Sequence, residues 1–434
     1  MVMDLALAIP VEKSTNPAIE ADLYADAAAA LNEAEEYARA EAACRVALAL
    51  VPGHYVALTN LGAALHRLGR HQEAIQTSVA AAHANPGCAE AFSNLGVVLN
   101  DMQAMELSLQ SHNEAYRLAP TNPHIRANRA MALLMAGDLA QGFAEFEARW
   151  DLDPPPITGP RWLGEPLAGR RLLVWDEGGY GDTLQFIRYV GQLLAADARV
   201  VLRVQAPLVR LVRQSFPDAE AVVSSDDPVP EFDVHCPMIS LAHVMGTSLA
   251  NVPGVTPYLI ADPLQSSHWQ EALGRLGPVR KIGLVWAGAP RQGMKRVHAM
   301  DKRRSINLDL LAPLMAMPNV HWISLQIGGG AEIARTGFPL GNPMGRMQDF
   351  ADTAALVAGL DLVISVDTAV AHLAGALGKP IWLLNRFDTC WRWGMGREDC
   401  AWYPALRQFR QARPGDWSVP VARAAAELSN ISPS

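Results

Sequence analysis

Four prolines recur at a fixed interval of 34 residues in the amino-terminal part of the chain, at Pro52, Pro86, Pro120 and Pro154. Three other residue types recur with the same interval and in the same register: Leu65, Leu99, Leu133, Ala47, Ala81, Ala115, Asn60, Asn94 and Asn128. Several ladders in one register indicate a duplicated structural unit. The ladders end near residue 156, so we predict a repeat region followed by a region of a different kind.

Within one period, apolar residues follow helical spacing on both sides of a glycine. They recur from Ala57 to Leu68, are interrupted at Gly69, and resume from Ala74 to Ala82. A helix pair of this size cannot bury both apolar faces alone, so neighbouring pairs must stack. The pattern resembles the tetratricopeptide repeat, whose period is 34 residues. We expect an amino-terminal segment at residues 1–18 and about four repeats in residues 19–153.

One asparagine per repeat, at Asn60, Asn94 and Asn128, lies inside a predicted helix, where its amide competes with the backbone. A row of amides would bind an extended peptide backbone whatever its side chains. Alternatively, the amides bridge adjacent repeats, or they recur only through duplication. Residues 59–62 and 93–96 resemble segments of O-linked N-acetylglucosamine transferase, whose asparagine ladder holds the acceptor polypeptide. This resemblance implies that the three asparagines bind a polypeptide acceptor.

Composition excludes several classes of function. Residues 1–156 contain 9 Lys and Arg against 19 Asp and Glu, and the remainder contains 27 against 25. No basic face is therefore predicted, and nucleic acid is not an expected partner. The five cysteines are scattered, which argues against a disulfide framework or a zinc site. With Asp4 near the amino terminus and no apolar run long enough to cross a bilayer, we expect a cytoplasmic protein without membrane insertion.

Residues 151–160 contain four prolines and a glycine, which cannot continue a helix. We place a linker at residues 154–169. Beyond it, apolar runs typical of strands alternate with helical patterns in two blocks, at residues 170–278 and 279–434. This alternation predicts two doubly wound, Rossmann-like α/β domains. If they face each other across a cleft, they form the GT-B architecture, although the alternation also fits other two-domain α/β enzymes.

The most specific motif is Ser-Val-Asp-Thr-Ala-Val-Ala-His-Leu-Ala at residues 365–374, where a predicted strand leads directly into a helix. It resembles the nucleotide-diphosphate loop of the bacterial heptosyltransferases, which form glycosyltransferase family 9. Free N–H groups at the start of the helix would face a diphosphate. The alternative is an ordinary capped helix with a core histidine. The resemblance implies five donor-binding residues: Asp367, Thr368, Ala369, Val370 and His372.

A basic segment follows the predicted strand at residues 281–287. It places six cations within 14 residues, at Arg291, Lys295, Arg296, Lys302, Arg303 and Arg304. Such a cluster would clamp a leaving diphosphate, or it is a solvated loop. Together with His298, Asp301 and Ser305, the segment resembles a His-x-x-Asp-Arg-x-Arg-Ser motif of bacterial glycosyltransferases fused to tetratricopeptide repeats, with Lys302 in place of an arginine. The resemblance implies donor binding by Lys302, Arg304 and Ser305.

Aromatic residues flank an arginine at Trp391-Arg392-Trp393. They would stack on a base or cover a sugar, or they pack in the core. The same fused family has similar residues here, which implies donor binding by Trp391 and Arg392. We also expect Gln326 and Asp349 to contact the nucleoside. The resemblance to family 9 spans roughly residues 160–420.

The general base is expected in the first strand-to-helix turn. Gly181-Asp182 resembles the Gly-Asp of the family's first turn, which carries its catalytic aspartate; the alternative is that Asp182 caps the helix. Glu177 and His298 are the other candidates. Heptosyltransferases invert the anomeric centre without a metal, and residues 170–434 contain no Asp-x-Asp motif. The resemblance therefore implies a reaction without a metal or other cofactor.

Together these features predict transfer of a sugar from a nucleotide-sugar donor to Ser or Thr of a polypeptide held by the repeats. The fused family implies flagellin as one such acceptor. Two alternatives remain open at this stage. One is a heptosyltransferase-like enzyme acting on lipopolysaccharide or another glycan, and the other is a non-catalytic scaffold with a degenerate sugar-nucleotide site.

Overall fold

A computed structural model describes residues 14–289 and 295–430, and the chain divides into two compact units between Pro154 and Pro155. In the first unit, the described residues form helices joined by short turns. The second unit alternates strands and helices. No helix within the described ranges is long and apolar enough to cross a membrane.

The first unit consists of consecutive helix pairs followed by a single short helix. Its helices are α1 (Pro17–Glu33), α2 (Tyr37–Leu50), α3 (Tyr55–Arg67), α4 (His71–Ala84), α5 (Ala89–Asp101), α6 (Met105–Leu118), α7 (Pro123–Ala136), α8 (Leu139–Phe146) and α9 (Arg149–Leu152). Each first helix packs against its own partner and against the first helix of the next pair. Residues 17–146 therefore form four stacked pairs, which confirms the predicted tetratricopeptide solenoid.

The periodic residues have clear physical roles in this unit. Each ladder proline lies two residues after a helix end, where it stops the helix from continuing. Gly96 lets α5 approach α6 closely, because a Cβ at this position would lie 2.7 Å from the ring of His112. Buried alanines, such as Ala47 and Ala81, allow similarly close contacts. The repeat is therefore defined by small residues that admit neighbouring helices.

The second unit begins with a four-stranded sheet in the order β3-β2-β1-β4, in which every pairing is parallel. Its strands and helices are β1 (Arg171–Trp175), α10 (Tyr180–Phe186), α11 (Val190–Ala195), β2 (Arg199–Val204), α12 (Val209–Ser215), β3 (Ala221–Ser224), β4 (Val234–Pro237), α13 (Leu241–Val244) and α14 (Pro263–Gly274). Buried apolar runs such as that of β1 are typical of a sheet covered on both faces.

A six-stranded sheet follows, in the order β10-β9-β8-β5-β6-β7, again with every pairing parallel. Its elements are β5 (Arg280–Val285), α15 (Lys295–Arg304), α16 (Ala312–Met315), β6 (Val320–Ser324), α17 (Gly330–Thr336), β7 (Leu340–Gly341), α18 (Phe350–Ala358), β8 (Leu362–Ser365), α19 (Ala369–Ala376), β9 (Ile381–Asn385), β10 (Leu406–Arg410) and α20 (Ser418–Asn430). The predicted sequence of helical repeats followed by parallel α/β sheets is confirmed.

The structure differs from the prediction in local details. Most of the basic segment forms helix α15 rather than a loop, while Arg291 lies outside the described residues. Residues 308–315 form a 3-10 turn at Leu308–Leu311 followed by the short α16. Strands β7 and β10 were not expected from the sequence, since β7 is only two residues long and β10 contains three polar residues.

Candidate functional site

The candidate site lies where strands of the two sheets end and lead into helices. In parallel sheets, ligands bind beyond the carboxyl ends of the strands. Here the segments after β1, β5 and β8 carry the residues expected from the sequence. The contacts between these segments show which of those residues come together.

The loop between β8 and α19 is held by its own hydroxyl groups. The Ser365 hydroxyl donates to the Val366 carbonyl at 2.7 Å and lies 3.0 Å from the Thr368 hydroxyl. Thr368 occupies the N-cap position of α19 in extended conformation, and its side chain makes no capping hydrogen bond. Residues 367–370 are partly exposed. Because the first N–H groups of a helix have no partner within it, this end is chemically suited to an anion.

Arg304, the last residue of α15, reaches this loop. Its Nη1 donates to the Asp367 carbonyl at 2.8 Å, and its Nη2 pairs with the carboxylate of the buried Asp301. The Ser305 hydroxyl accepts from the Gly288 N–H at 3.0 Å. The motif at residues 298–305 therefore joins the segment after β5 to the loop after β8. The structure thus brings Arg304 and Ser305 to the candidate site.

Two other residues of the same motif are placed differently. His298 and Lys302 are exposed on α15. No contact connects His298 with Asp182 or with the loop after β8 among the described hydrogen bonds.

His372 is a core residue, which is the alternative that the sequence left open. It is 4% exposed, its Nδ1 lies 2.8 Å from the Tyr403 hydroxyl, and its ring stacks on Trp393 with centroids 4.8 Å apart. Burial, with a further contribution from the nearby charge of Arg392, lowers the pKa of His372 to about 3. The imidazole is therefore neutral at physiological pH and does not act as a cation toward phosphate.

Asp182 lies on the first turn of α10 and has two partners. One carboxylate oxygen, Oδ2, accepts from the Gly179 N–H at 2.7 Å, and the other, Oδ1, pairs with Nη2 of Arg392. The predicted capping role is thus present alongside the ion pair. Gly181 allows this turn to press against α19, because a Cβ there would lie 2.8 Å from the His372 ring. The first turn and the loop after β8 are therefore neighbours.

Arg392 connects the carboxyl-terminal aromatic segment to Asp182. Its guanidinium lies over the ring of Trp391 at 4.4 Å, and Nη1 donates to the Cys390 sulfur at 3.2 Å. Burial alone would lower the pKa of Arg392, but the carboxylate of Asp182 raises it above its usual value. The Arg392 and Asp182 side chains are 18% and 23% exposed, so the pair is largely but not completely shielded from solvent.

The aromatic partners of Arg392 are packing residues. Trp391 is 5% exposed and Trp393 is fully buried. The Trp391 ring lies 6.3 Å from Phe186 and 6.1 Å from Trp402. The core-packing alternative therefore describes Trp391 in this structure.

Three further expected site residues bind other parts of the protein. Glu177 accepts from the Ile239 N–H at 2.9 Å, which joins the segments after β1 and β4. Gln326 accepts from the N–H groups of residues 286 and 287 at 3.2 and 2.9 Å. Asp349 caps α18 and forms a two-point ion pair with Arg210 at 2.6 and 2.8 Å. Each side chain lies at a strand end or helix start near the site, held by a structural contact.

Two arginines that no sequence pattern singled out connect the domain of the four-stranded sheet with that of the six-stranded sheet. Arg210 on α12 pairs with Asp349, and Arg188 is 4% exposed and bonded on several sides. Arg188 donates to the carbonyls of Pro253 and Trp402 at 2.9 and 2.8 Å, and to the Tyr258 hydroxyl at 2.9 Å. A single arginine within a helical pattern carries no motif, so no signal in the sequence distinguished either residue.

Asp176, directly after β1, is a further acidic residue that was not proposed. Burial raises its pKa, and Nη1 of Arg203 lies 4.0 Å from its Oδ1. Its position at the end of a strand, beside the glycine-rich turn, was a signal that the sequence did contain.

In the repeat unit, each ladder asparagine bonds to the preceding repeat. The Nδ2 of Asn60 donates to the Ala25 carbonyl at 2.9 Å, and that of Asn94 to the Thr59 carbonyl at 3.3 Å. The Nδ2 of Asn128 donates to the Ser93 hydroxyl at 3.1 Å. Bridging between repeats, one of the alternatives above, is therefore present. These bonds use the donor end of each amide, and all three residues are partly exposed.

The described residues contain no group of three or more His, Cys, Asp or Glu side chains placed to hold a metal ion. A cavity of about 550 Å³ borders Arg171, Phe232 and residues 156–158. Arg171 begins β1, so this cavity lies at the amino end of the strand, away from the loops described above.

Comparison with known proteins supports a specific family for this site. Residues 339–384 match the model of glycosyltransferase family 9, the heptosyltransferases. This stretch contains β8, the loop at residues 366–368, α19 and most of β9. It therefore covers the loop that Arg304 contacts.

Three similar proteins cover larger parts of the chain. Protein FlbA of Caulobacter vibrioides is 29% identical over 441 residues, which cover 86% of this chain and 73% of that protein. A family 9 glycosyltransferase from Veillonella parvula shares 12% identity over 60% of this chain and 97% of its own, with a TM-score of 0.42. A mutant O-GlcNAc transferase of Thermobaculum terrenum shares 14% identity over 96% of this chain and 91% of its own, with a TM-score of 0.36.

The stacked helix pairs identify the first unit, and the family match covers the central motif of the second. The chain therefore joins tetratricopeptide-type helix pairs to an α/β unit that is similar, at residues 339–384, to glycosyltransferase family 9.

Proposed function

We propose that the protein transfers a sugar from a nucleotide-sugar donor to Ser or Thr of a polypeptide acceptor, with inversion and without a metal. The observation that carries this proposal is the hydrogen bond from Arg304 to the Asp367 carbonyl. It joins the basic helix α15 to the loop at the start of α19. Two features suited to a diphosphate, a guanidinium and free helical N–H groups, thus meet at one place.

The donor diphosphate binds in this proposal at the amino end of α19. The N–H groups of Thr368, Ala369 and Val370 face its oxygens, and Arg304 and Lys302 neutralise the charge that develops as it leaves. Groups held in place before the reaction stabilise such charge most effectively, because they need no reorganisation. Arg304 meets this condition, since Asp301 and the loop hold it on two sides.

Asp182 is the proposed general base. It takes the proton of the acceptor hydroxyl while the hydroxyl oxygen bonds to the anomeric carbon. The bond from that carbon to the diphosphate oxygen breaks, and its electron pair leaves with the nucleotide. The contact between Gly181 and His372 places the turn that carries Asp182 next to α19. The base and the leaving group would then face each other across a GT-B cleft.

The repeats bind the acceptor polypeptide in this proposal. Asn60, Asn94 and Asn128 are oriented by bonds from their Nδ2 atoms to the preceding repeat. Their Oδ1 atoms then accept from backbone N–H groups of an extended chain, which would make recognition independent of the acceptor's side chains. Flagellin is one candidate acceptor of this kind.

Donor binding tests the proposal directly. The purified protein is titrated with UDP-, ADP-, GDP- and CMP-sugars by calorimetry and tryptophan fluorescence, since all 11 tryptophans lie at or beyond Trp150. We expect one class to bind, with affinity lowered about tenfold or more in Arg304→Ala, because a charge-assisted contact is lost. Arg275→Ala removes an exposed arginine that is paired with its helix neighbour Glu271, and it serves as the matched control.

Failure of all four nucleotide classes to bind would refute the donor site. Turnover is then measured with the bound donor and protein acceptors, with and without EDTA. Activity abolished by EDTA and restored by a divalent cation would refute the metal-independent mechanism.

A further inference from the structure

The ion pair of Arg392 with Asp182 lies beside the start of α19. A Cβ on Gly181, the neighbour of Asp182, would lie 2.8 Å from the His372 ring and 3.7 Å from the Cα of Ala369, the first residue of α19. Burial is the main cause of the lowered pKa of His372, and the charges of Arg392, Asp182, Arg188 and Arg304 also act on it. Arg392 is therefore close to both the first-turn carboxylate and the start of α19, and its direct ion pair is with Asp182.

We propose that Arg392 is a donor-dependent latch on Asp182, in which the guanidinium binds either the Asp182 carboxylate or the diphosphate of the donor. This inference rests on the proposed function. It adds a competition between the base and the donor for one cation, so that the donor releases the base when it binds.

The geometry of Asp182 makes the release possible without loss of its position. Oδ2 accepts from the Gly179 N–H independently of Arg392, whereas Oδ1 is the atom that the guanidinium occupies. When Arg392 moves away, the backbone bond continues to hold the carboxylate. Oδ1 is then open to accept the proton of an acceptor hydroxyl.

The surroundings of Arg392 favour exchange of partners. Within the described parts of the chain, the guanidinium also contacts the Trp391 ring and the Cys390 sulfur, neither of which carries a formal charge that fixes it. A diphosphate offers more negative charge and more acceptor oxygens than one carboxylate. Since the pair is mostly shielded from water, this difference is weakly screened. An occupied donor site would therefore draw Arg392 away from Asp182.

The latch has a consequence for the order of events. Without a donor, the proposed base is ion-paired, and it cannot activate water or an acceptor hydroxyl. With a donor in place, the same carboxylate is released beside the sugar. The donor would therefore bind productively before the acceptor. The base would not activate water or a hydroxyl while the donor site is empty.

A double-mutant cycle on nucleotide binding tests the latch. Affinities for UDP, ADP, GDP and CMP are measured by calorimetry for the wild-type protein, Asp182→Asn, Arg392→Gln and the double variant. We expect Asp182→Asn to bind the cognate nucleotide about fivefold or more tightly, because the competitor is removed, and Arg392→Gln to bind it at least fivefold more weakly. In the double variant, the effect of Asp182→Asn should disappear.

Controls separate this inference from a structural effect and from the proposed function. Damage to the fold would weaken nucleotide binding, so it cannot explain tighter binding by Asp182→Asn. The control variant Arg397→Gln removes an exposed arginine paired with Asp399 and should leave the affinity unchanged. If Arg392→Gln does not fold, Arg392→Lys replaces it, with the same expected direction. Unchanged or weaker nucleotide binding by Asp182→Asn overturns the latch alone. Absence of nucleotide binding by the wild-type protein overturns the proposed function and the latch together.

Discussion

His372 and His112 show how burial determines the chemistry of one side chain. His112 is 1% exposed between α5 and α6, and His372 is 4% exposed beneath the first turn of α10. Burial lowers the pKa of His112 to about 4 and that of His372 to about 3. Both rings are therefore neutral in the folded protein over the physiological range. Sequence alone presents the second as a phosphate ligand, and only its surroundings identify it as a core residue.

These two histidines predict a specific dependence of stability on pH. The pKa of each is lower in the folded state than the value of about 6.5 expected in the unfolded chain. The unfolded state therefore binds protons first, so their contribution is fully present above about pH 6.5 and is lost as the pH falls toward 4 and 3. For His112, we expect a loss of about 2 kcal/mol between pH 7.5 and pH 5.

Urea unfolding followed by circular dichroism at pH 7.5 and pH 5 measures this loss. In His112→Gln, the part due to His112 should be absent, so that the pH dependence becomes shallower. An unchanged pH dependence in that variant would show that the ring is protonated equally in both states.

At the scale of elements, close approach of helices defines the repeat unit. Gly96 on α5 and Gly62 on α3 both face neighbouring side chains with no room for a Cβ, which would lie 2.7 Å from His112 and 2.6 Å from the Ser78 hydroxyl. In a free helix, alanine would be favoured over glycine by about 1 kcal/mol. These positions therefore keep glycine for packing, against its intrinsic preference.

We predict that Gly96→Ala destabilises the protein by about 1–3 kcal/mol, because the new methyl group displaces a fully packed ring. Gly53→Ala is the matched control, since a Cβ at that glycine meets nothing within 4 Å. Thermal unfolding of both variants measures the difference. Equal stability of the two would mean that α5 and α6 separate without cost.

The ladder asparagines predict a separation of two activities. Asn94→Ala combined with Asn128→Ala should reduce transfer to protein acceptors more than hydrolysis of the donor, because the proposed donor site lies in the other unit. Loss of the bridging bonds costs about 1 kcal/mol each, so circular dichroism must first confirm that the variant is folded. Steady-state assays measure the rates of transfer and of donor hydrolysis in this variant. An equal loss of both rates would contradict acceptor binding by the repeats.

The sequence predicted elements that carry a regular pattern and missed contacts between distant residues. The 34-residue period identified the repeats, and apolar runs alternating with helical patterns predicted the parallel α/β region. Helix α15 was missed because its ten residues are mostly charged and polar, with no apolar periodicity. The pair of Asp182 with Arg392 spans 210 residues. No local pattern reports such a contact, so the sequence assigned the two residues to separate roles.

At the scale of the whole molecule, the chain consists of two units that each have their own core. Alanine-rich contacts stabilise the helix pairs, whereas the second sheet buries tryptophans and aliphatic side chains, including Trp286, Trp322 and Leu384. Within the second unit, Arg188 and Arg210 connect the domain of the four-stranded sheet with the domain of the six-stranded sheet. The integrity of the second unit thus depends on a few polar contacts as well as on its cores.

Arg188→Ala is predicted to lower the stability of the second unit by about 3 kcal/mol or more, because it leaves several buried acceptors without a donor. In differential scanning calorimetry, Arg188→Ala should lower the midpoint temperature of the transition of the second unit. The transition of the repeat unit, which Gly96→Ala is expected to shift, should keep its midpoint. A shift of both transitions by Arg188→Ala would show that the two units unfold as one. Little change in either would mean that water replaces the guanidinium at low cost.

The position of Arg188 also affects how the segments it connects can separate. One guanidinium binds the segment before β5, through Pro253 and Tyr258, and the carboxyl-terminal segment through Trp402. If these segments moved apart, the buried Arg188 guanidinium would lose these hydrogen-bond acceptors at the same time. Opening would then be an all-or-none event with a threshold rather than a graded motion.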